Sequence, residues 1–413
     1  MSTGKVSVLV GVLLASVGAS CWGTECRFFR VGCLEGEAPH NLAMTRDELG
    51  EVSLEFDTQD QRSYVIEATD SLSPSPAWTR VASITGDGER ARWLTTQKWS
   101  RTFGGSDYDD AGWVRQTSDG GYILAGCTRS FGAGGSDAWL IKTDSLANED
   151  WSRTFGGSDY DYAYSVRQTS DGGYILAGWT YSFGAGSCDA WLIKTDSAGN
   201  EEWSRTFGGS DYDGAKSVQQ TSDGGYIVAG LTYSFGAGSG DAWLIKTDSV
   251  GNEKWSTTFG GSDWDWAWSV QQTSDGGYIL AGRTYSFGAG SCDAWLIKTD
   301  SLGNEEWSRT FGGSDVEGAW SVHQTSDGGY ILAGYTGSFG AGSSDAWLIK
   351  TDSLGNEEWS RTFGGSHFEH AYSVQQTSDR GYIMAGYTDS FGPGGFDAWL
   401  IKTDSLGNAP LPQ

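Results

Sequence analysis

The chain has 413 residues with 53 acidic and 27 basic side chains, a net charge of −26 that disfavours nucleic acid and anionic membranes as partners. Twenty-one Trp, 18 Tyr and 17 Phe supply enough ring area for a large core and exclude a disordered chain. The 62 Gly against 6 Pro point to many turns, without a collagen-like period.

The N-terminus reads as an export signal. Lys5 precedes a short apolar stretch, Val6–Val17, and Val17-Gly18-Ala19 offers small residues for cleavage near Ala19. A signal peptide over 1–23 implies a secreted or cell-envelope protein, extracellular or periplasmic. The stretch is too short to span a bilayer, and no other segment is apolar enough to be a membrane span. Cys21 is a candidate for lipid attachment, but Gly18 stands where an aliphatic residue is preferred, which favours plain secretion. Cys26 and Cys33 could close a small loop in an oxidising compartment. Residues 24–49 read as a linker or irregular cap.

Further on, Arg62-Ser-Tyr-Val-Ile-Glu67-Ala-Thr-Asp-Ser and Trp78-Thr-Arg-Val resemble the small fibronectin-like β modules of extracellular proteins. The resemblance implies a compact sandwich-like β module over about 50–95.

From Trp99 to Asn408 a unit of 52 residues occurs six times, anchored on Trp99, Trp151, Trp203, Trp255, Trp307 and Trp359. Every copy carries W-S-x-T-F-G-G-S, T-S-D-x-G-Y-I, A-G-x-T-x-S-F-G and D-A-W-L-I-K-T-D-S, the mark of a repeat architecture. One copy predicts four short strands: Trp151–Phe155, then about Ala163–Thr169, Tyr174–Thr180 and Ala190–Thr195. Ser170-Asp171-Gly172-Gly173 and Asp196-Ser197-Ala198-Gly199-Asn200 are tight turns, where Gly supplies the positive φ. No stretch has helical periodicity. Four antiparallel strands per repeat are the signature of a β-propeller blade. The expected fold is all-β: a six-bladed propeller over 99–408 whose ends close by pairing Trp99–Phe103 with Ala398–Thr403, removing two open edges. A seventh blade from 52–98 would leave the last blade without its outer strand, so six is the expectation.

W-S-R-T-F-G-G-S-D-Y-D, Q-T-S-D-G-G-Y-I-L-A-G and D-A-W-L-I-K-T-D-S-L-G-N resemble secreted bacterial and archaeal β-propeller repeats of the SBBP type. This resemblance covers 99–408 and implies an extracellular or envelope propeller with no catalytic residues to carry over. Asp196-x-x-Gly199-x-x-x-Trp203 is also similar to the tryptophan-docking motif of quinoprotein propellers, one residue shorter, and implies shared blade closure rather than quinone binding.

The copies differ chiefly in the segment after T-F-G-G-S and at positions 127, 179, 231, 283, 335 and 387, with 129, 181, 233, 285, 337 and 389. Strand alternation gathers these at one end of every blade, so one face of the disc varies and the other is uniform. The variable face is rich in rings and carboxylates, which suit stacking on sugar C–H faces and hydrogen bonding to hydroxyls. The candidate ligand-binding residues are Trp264, Asp265, Trp266, Trp268 and Tyr285, with Tyr108, Asp109, Tyr160, Asp161, Tyr162, Tyr212 and Asp213 as analogues. The three tryptophans cannot all be core if the segment is a strand. The D-x-D triplets could set oxygens around Ca²⁺ but lack the further ligands of a calcium loop, so turn capping is expected and no cofactor is assigned. His367 and His370 form an isolated H-x-x-H without a third metal ligand. No nucleophile elbow, phosphate loop or Ser/His/Asp set appears, so no enzyme is expected. The reading is a secreted, non-catalytic, lectin-like or protein-interaction propeller whose partner is a glycan or an extracellular protein. A structural envelope or adhesion scaffold, and a propeller hydrolase or lyase, are the alternatives.

Overall fold

The computed structural model describes residues 100–392 and 394–410, and before them seven strands. The chain divides into two compact units, Met1–Ser100 and Arg101–Gln413. In the first, β1 (Ser7–Val10), β2 (Phe28–Cys33), β5 (Ser63–Thr69) and β6 (Thr79–Thr85) form one antiparallel sheet. A second sheet is made by β3 (His40–Arg46), β4 (Val52–Asp57) and β7 (Arg90–Leu94). Residues 24–49, expected as a linker or irregular cap, thus carry β2 and β3. Ser7–Val10, within the expected leader, pairs with Phe29–Gly32. The expected cleavage point, Cys21 and Cys26 lie outside the described residues.

The second unit is a six-bladed β-propeller. Its first blade is β8 (Asp109–Gln116), β9 (Tyr122–Thr128), β10 (Asp137–Thr143) and β11 (Glu149–Phe155). The second is β12 (Asp161–Gln168), β13 (Tyr174–Thr180), β14 (Asp189–Thr195) and β15 (Glu201–Phe207). Three more four-stranded sheets follow at the same spacing, from Asp213–Gln220 to Glu357–Phe363. The sixth holds β28 (Glu369–Gln376), β29 (Tyr382–Thr388) and β30 (Asp397–Thr403). Among the described residues there is no helix, and none long and apolar enough to cross a membrane. The strands stand where the alternation places them, because each T-S-D-x-G turn must reverse the chain in few residues. Gly172 does so with φ 87°, and in the last copy Arg380 takes φ 66° at the same point.

Neighbouring blades meet through one recurrent interface. Ile175, Ala177, Ala190, Leu192 and Phe207 of the second blade bury against Ala215, Val218, Tyr226, Val228, Trp243 and Ile245 of the third. The same set recurs between each successive pair of blades, five times in all. A polar staple accompanies it: Ser170 N–H donates to Gln220 Oε1 at 2.8 Å, and four equivalent bonds repeat it. Within each of the first five blades the lysine of I-K-T is buried but ion-paired. Lys194 Nζ lies 2.9 Å from Asp171 Oδ2 and 2.8 Å from Glu202 Oε2.

Among the described residues the expected closure is not formed. Residues 100–105 make no strand, and the sixth sheet has three strands instead of four. Nor does packing comparable to the other interfaces join the sixth blade to the first. Leu400 is 66% exposed, where Leu140, Leu192, Leu244, Leu296 and Leu348 are buried. Val114 is 54% exposed, where Val166, Val218, Val270, Val322 and Val374 are buried. The physical reason is local. Every other outer strand arrives through an adjacent five-residue hairpin turn, D-S-x-G-N in four blades and Asp144-Ser145-Leu146-Ala147-Asn148 in the first, where Ala147 takes φ 58°. After the last such turn, in which Asn408 N–H donates to Asp404 Oδ1 at 2.8 Å, the chain runs into Ala409-Pro410-Leu411-Pro412. Proline cannot supply ladder donors. A substitute strand from Trp99–Phe103 would have to come from some 300 residues away.

Candidate aromatic channel site

The first strand of each blade is innermost, and each carries a β-bulge. In β12 the pairing with β13 steps from Ala163↔Gly178 to Ser165↔Ala177, leaving Tyr164 unpaired. The glycine of A-G-x-T is what permits it: a Cβ on Gly178 would overlap the carbonyl oxygen of Tyr162, and the same holds at Gly126, Gly230, Gly282, Gly334 and Gly386 with the matching carbonyls. Bulges re-aim side chains. Here the six bulged positions are Gly112, Tyr164, Lys216, Trp268, Trp320 and Tyr372, and all six line one cavity of about 850 Å³. Trp113, Tyr212, Leu231, Tyr233, Trp266 and Arg283 complete its wall. A single cavity drawn from all six blades lies between their innermost strands, in the central channel.

Its wall is mostly rings. Trp268 and Trp320 stack with centroids 3.8 Å apart and planes 16° from parallel. Tyr372 meets Trp320 edge-on at 5.4 Å, and Trp113 meets Tyr164 edge-on at 4.9 Å. Tyr164 lies parallel to Trp179 at 6.0 Å, and Tyr162 stacks on Trp179 at 4.7 Å. Sizes trade across the strand pair. Gly318 leaves space for Tyr335, whose Cε1 would sit 2.9 Å from an added Cβ. Tyr335 in turn stacks on His370 at 4.2 Å.

Two cations share this wall. Lys216 Nζ lies 3.7 Å from the centre of the Tyr164 ring, and Arg283 Cζ lies 3.9 Å from that of Trp266. Arg283 Nη1 donates to Tyr335 Oη at 3.2 Å. Three residues further along the innermost strands stand Arg115, Arg167 and His323. Burial, with Arg167 and Arg115 nearby, drives His323 down to about 4, so it is neutral at pH 7.

The aromatic residues of the expected site separate into three groups. Trp266, Trp268 and Tyr212 line the cavity. Tyr162 stands behind Trp179, and Tyr285 packs half-buried against Trp264, Trp266 and Arg283. Trp264 (46% exposed), Tyr160 and Tyr108 form an outer rim, with Arg129 between the two tyrosines. The tryptophans of the fourth copy are indeed not all core, since the bulge turns both Trp266 and Trp268 toward the channel. The carboxylates Asp109, Asp161, Asp213 and Asp265 correct the expectation of ligand contact. The last three are fully buried. Asp161 accepts hydrogen bonds from Thr180 Oγ1, from Ser182 Oγ at 2.7 Å and from Gly157 N–H at 2.8 Å. Asp109 is bonded likewise by Thr128, Ser130 and Gly105. These groups tie the G-G-S and S-F-G loops together and leave no oxygen for a ligand. Their burial is the turn capping expected of the triplets, carried by the second Asp of each.

Among the described residues no three His, Cys, Asp or Glu side chains gather about one point as a metal site would require. His367 bonds Ser366, whereas His370 bonds Ser344 at 3.2 Å and is driven down to about 4 by burial. Cys127, Cys188 and Cys292 are buried free thiols. Tyr164, Lys216, Arg283, Trp320 and Tyr372 were not among the expected site residues. Their signal was present: the copies vary at all of these positions, while the Ala before each bulged residue and the Gly and Thr around Arg283 are the same in every copy.

No protein-family model matches the chain. A stretch of 178 residues is 26% identical to regulatory protein FlaEY of Caulobacter vibrioides, covering 39% of this chain and 17% of that protein. Among solved structures, the WD40 domain of Pan2 from Neurospora crassa is similar with a TM-score of 0.42 and 10% identity, over 84% of this chain and 85% of that one. An ulvan lyase of polysaccharide lyase family PL25 has a TM-score of 0.43 and 11% identity, over 90% and 93%. Puromycin hydrolase has a TM-score of 0.44 and 11% identity, over 91% and 53%.

Proposed function

We propose that the chain is a non-catalytic binding propeller that takes a glycan in its central channel. The observation that carries this reading is the cavity: rings of variable identity from six blades converge on it, while an invariant scaffold of bulges and buried carboxylates holds them. Aromatic faces bind sugar C–H surfaces, and concave, largely apolar pockets with a few polar groups are the usual form of a ligand site. The apolar stretch Val6–Val17, read from the sequence as an export signal, supports placement outside the cell or in its envelope. A hydrolase or lyase gains little from the channel, whose His323 stands beside two arginines rather than a carboxylate.

The test is a glycan array on the purified full chain, with and without Ca²⁺, followed by titration of any hit. Replacing Trp268 and Trp320 with Ala should weaken binding about tenfold or more. Trp264→Ala, on the rim, should cost less. A double variant that keeps full affinity would remove the cavity from the reading.

An envelope scaffold is the second reading, favoured by the unburied faces at Leu400 and Val114. Their pairing chemistry is that of the five internal interfaces, so the occupant would be a second copy of this chain. Light scattering that shows only monomer at high concentration would count against it.

A further inference from the structure

The chain has almost twice as many acids as bases, 53 against 27, and its buried lysines show how it treats a cation. All six I-K-T lysines lie within 3.4 Å of an Asp or Glu oxygen. The channel breaks this habit. Among the described residues no carboxylate pairs with Lys216, Arg283, Arg115 or Arg167, although carboxylates are abundant elsewhere. Arg283 Nε and Arg167 Nε are both buried without a protein hydrogen-bond partner. The carboxylates of Asp213 and Asp265, on the same innermost strands, are turned away and fully engaged by the loops. Asp110 of the first blade is the only acid at the positions equivalent to Tyr162 and Trp266.

Burying an unpaired cation costs free energy, and a native fold that sets two, Lys216 and Arg283, half-buried in the wall of one cavity requires an account of them. Lys216 carries the cost visibly, since burial drives it down to about 8. Facing it are the rings of Tyr164 and Trp179 and the thiol of Cys188, itself pushed up by burial. A carboxylate or sulfate entering the cavity would restore what the protein withholds.

Resting on the glycan-binding reading, we infer that the ligand is an acidic saccharide, a carboxylate or sulfate on the sugar being received by Lys216 and Arg283 while the rings about Trp268 and Trp320 take its apolar face. The guanidinium suits an oxyanion through parallel N–H donors, and the ammonium serves as a point charge.

The experiment is calorimetric titration of the full chain with three oligosaccharides of equal length: a galacturonate, a sulfated galactan and a neutral galactan. Either acidic ligand should bind at least about tenfold more tightly than the neutral one, and the tighter of the two identifies the acid group. Lys216→Met and Arg283→Met should each erase most of that preference, and Lys216→Arg should keep it. Lys216→Met should melt no lower than the parent, because it removes a half-buried charge that no carboxylate pairs; a role in packing alone would lower it. If that variant misfolds, Lys216→Gln serves the same comparison. Equal affinity for neutral and acidic ligands overturns the inference and leaves the glycan reading standing. An acid preference untouched by both Met variants overturns the assignment to these cations. Binding of none of the three overturns both.

Discussion

The buried lysine of the I-K-T strand in each of the first five blades illustrates how single residues tie the blades' turns to their strands. Burial works to raise Asp171, but hydrogen bonds from Thr169, Lys194 and Gly173 outweigh it and hold the carboxyl at about 2. Asp119 behaves the same way, and Asp223, Asp275 and Asp327 are lowered too. A carboxylate depressed by folding contributes stability above its unfolded value of 3.8, and that contribution disappears as pH falls through the folded value. Asp137, Asp189, Asp241 and Asp345 act in the opposite sense, because burial raises them and acid relieves their cost. The larger, repeated depressions win, discounted because these side chains are more than half exposed in blades such as the second. Melting temperature should therefore drop between about pH 4 and pH 2. Lys194→Met should flatten that slope at the cost of stability at neutral pH. An unaltered slope in the variant would show that the ion pairs do not set the acid limit.

At the scale of the element, the bulge decides which side chains reach the channel. It requires glycine opposite it, and Gly282→Ala should force the strand back into plain register. Loss of the bulge would turn Trp268 away, so cavity tryptophan fluorescence should shift and glycan affinity should collapse, with a stability loss of about 1–3 kcal/mol. Retention of both signals would mean that the strands tolerate the extra carbon. Much of this was legible beforehand. Alternation in Tyr174–Thr180 and the glycine turns located the strands, since both follow from backbone geometry. The site was legible in part. Variation at 127, 179 and 231 marked the right end of the blades. The bulge itself was hidden, because one skipped residue leaves the composition of a strand unchanged. Asp161 was misread for a related reason: an Asp between two tyrosines looks solvent-facing until its three donors, 4, 19 and 21 residues away, are brought to it.

For the whole molecule, the open seam between first and last blades separates two kinds of leucine. Leu244→Ala, within a buried interface, should cost about 2–5 kcal/mol by chemical denaturation. Leu400→Ala, with its face exposed, should cost less than about 1 kcal/mol. Equal costs would mean that the ring closes in solution. The count of strands at the two chain ends had pointed to closure, but counting ignores delivery. A strand is supplied readily by the hairpin beside it and only at an entropic cost by a remote terminus.

The sameness of the five interfaces has a consequence for heredity. Because each blade offers its neighbours the same two faces, no interface can distinguish the third blade from the fourth. A loss or gain of one whole period in the gene would join a familiar edge to a familiar edge and leave no foreign junction in the core. The number of blades is therefore not fixed by a lock-and-key order among them. What such an event would change is the roster of side chains at the channel. The chain can thus exchange its channel-lining side chains a whole blade at a time, without first having to solve the problem of folding again.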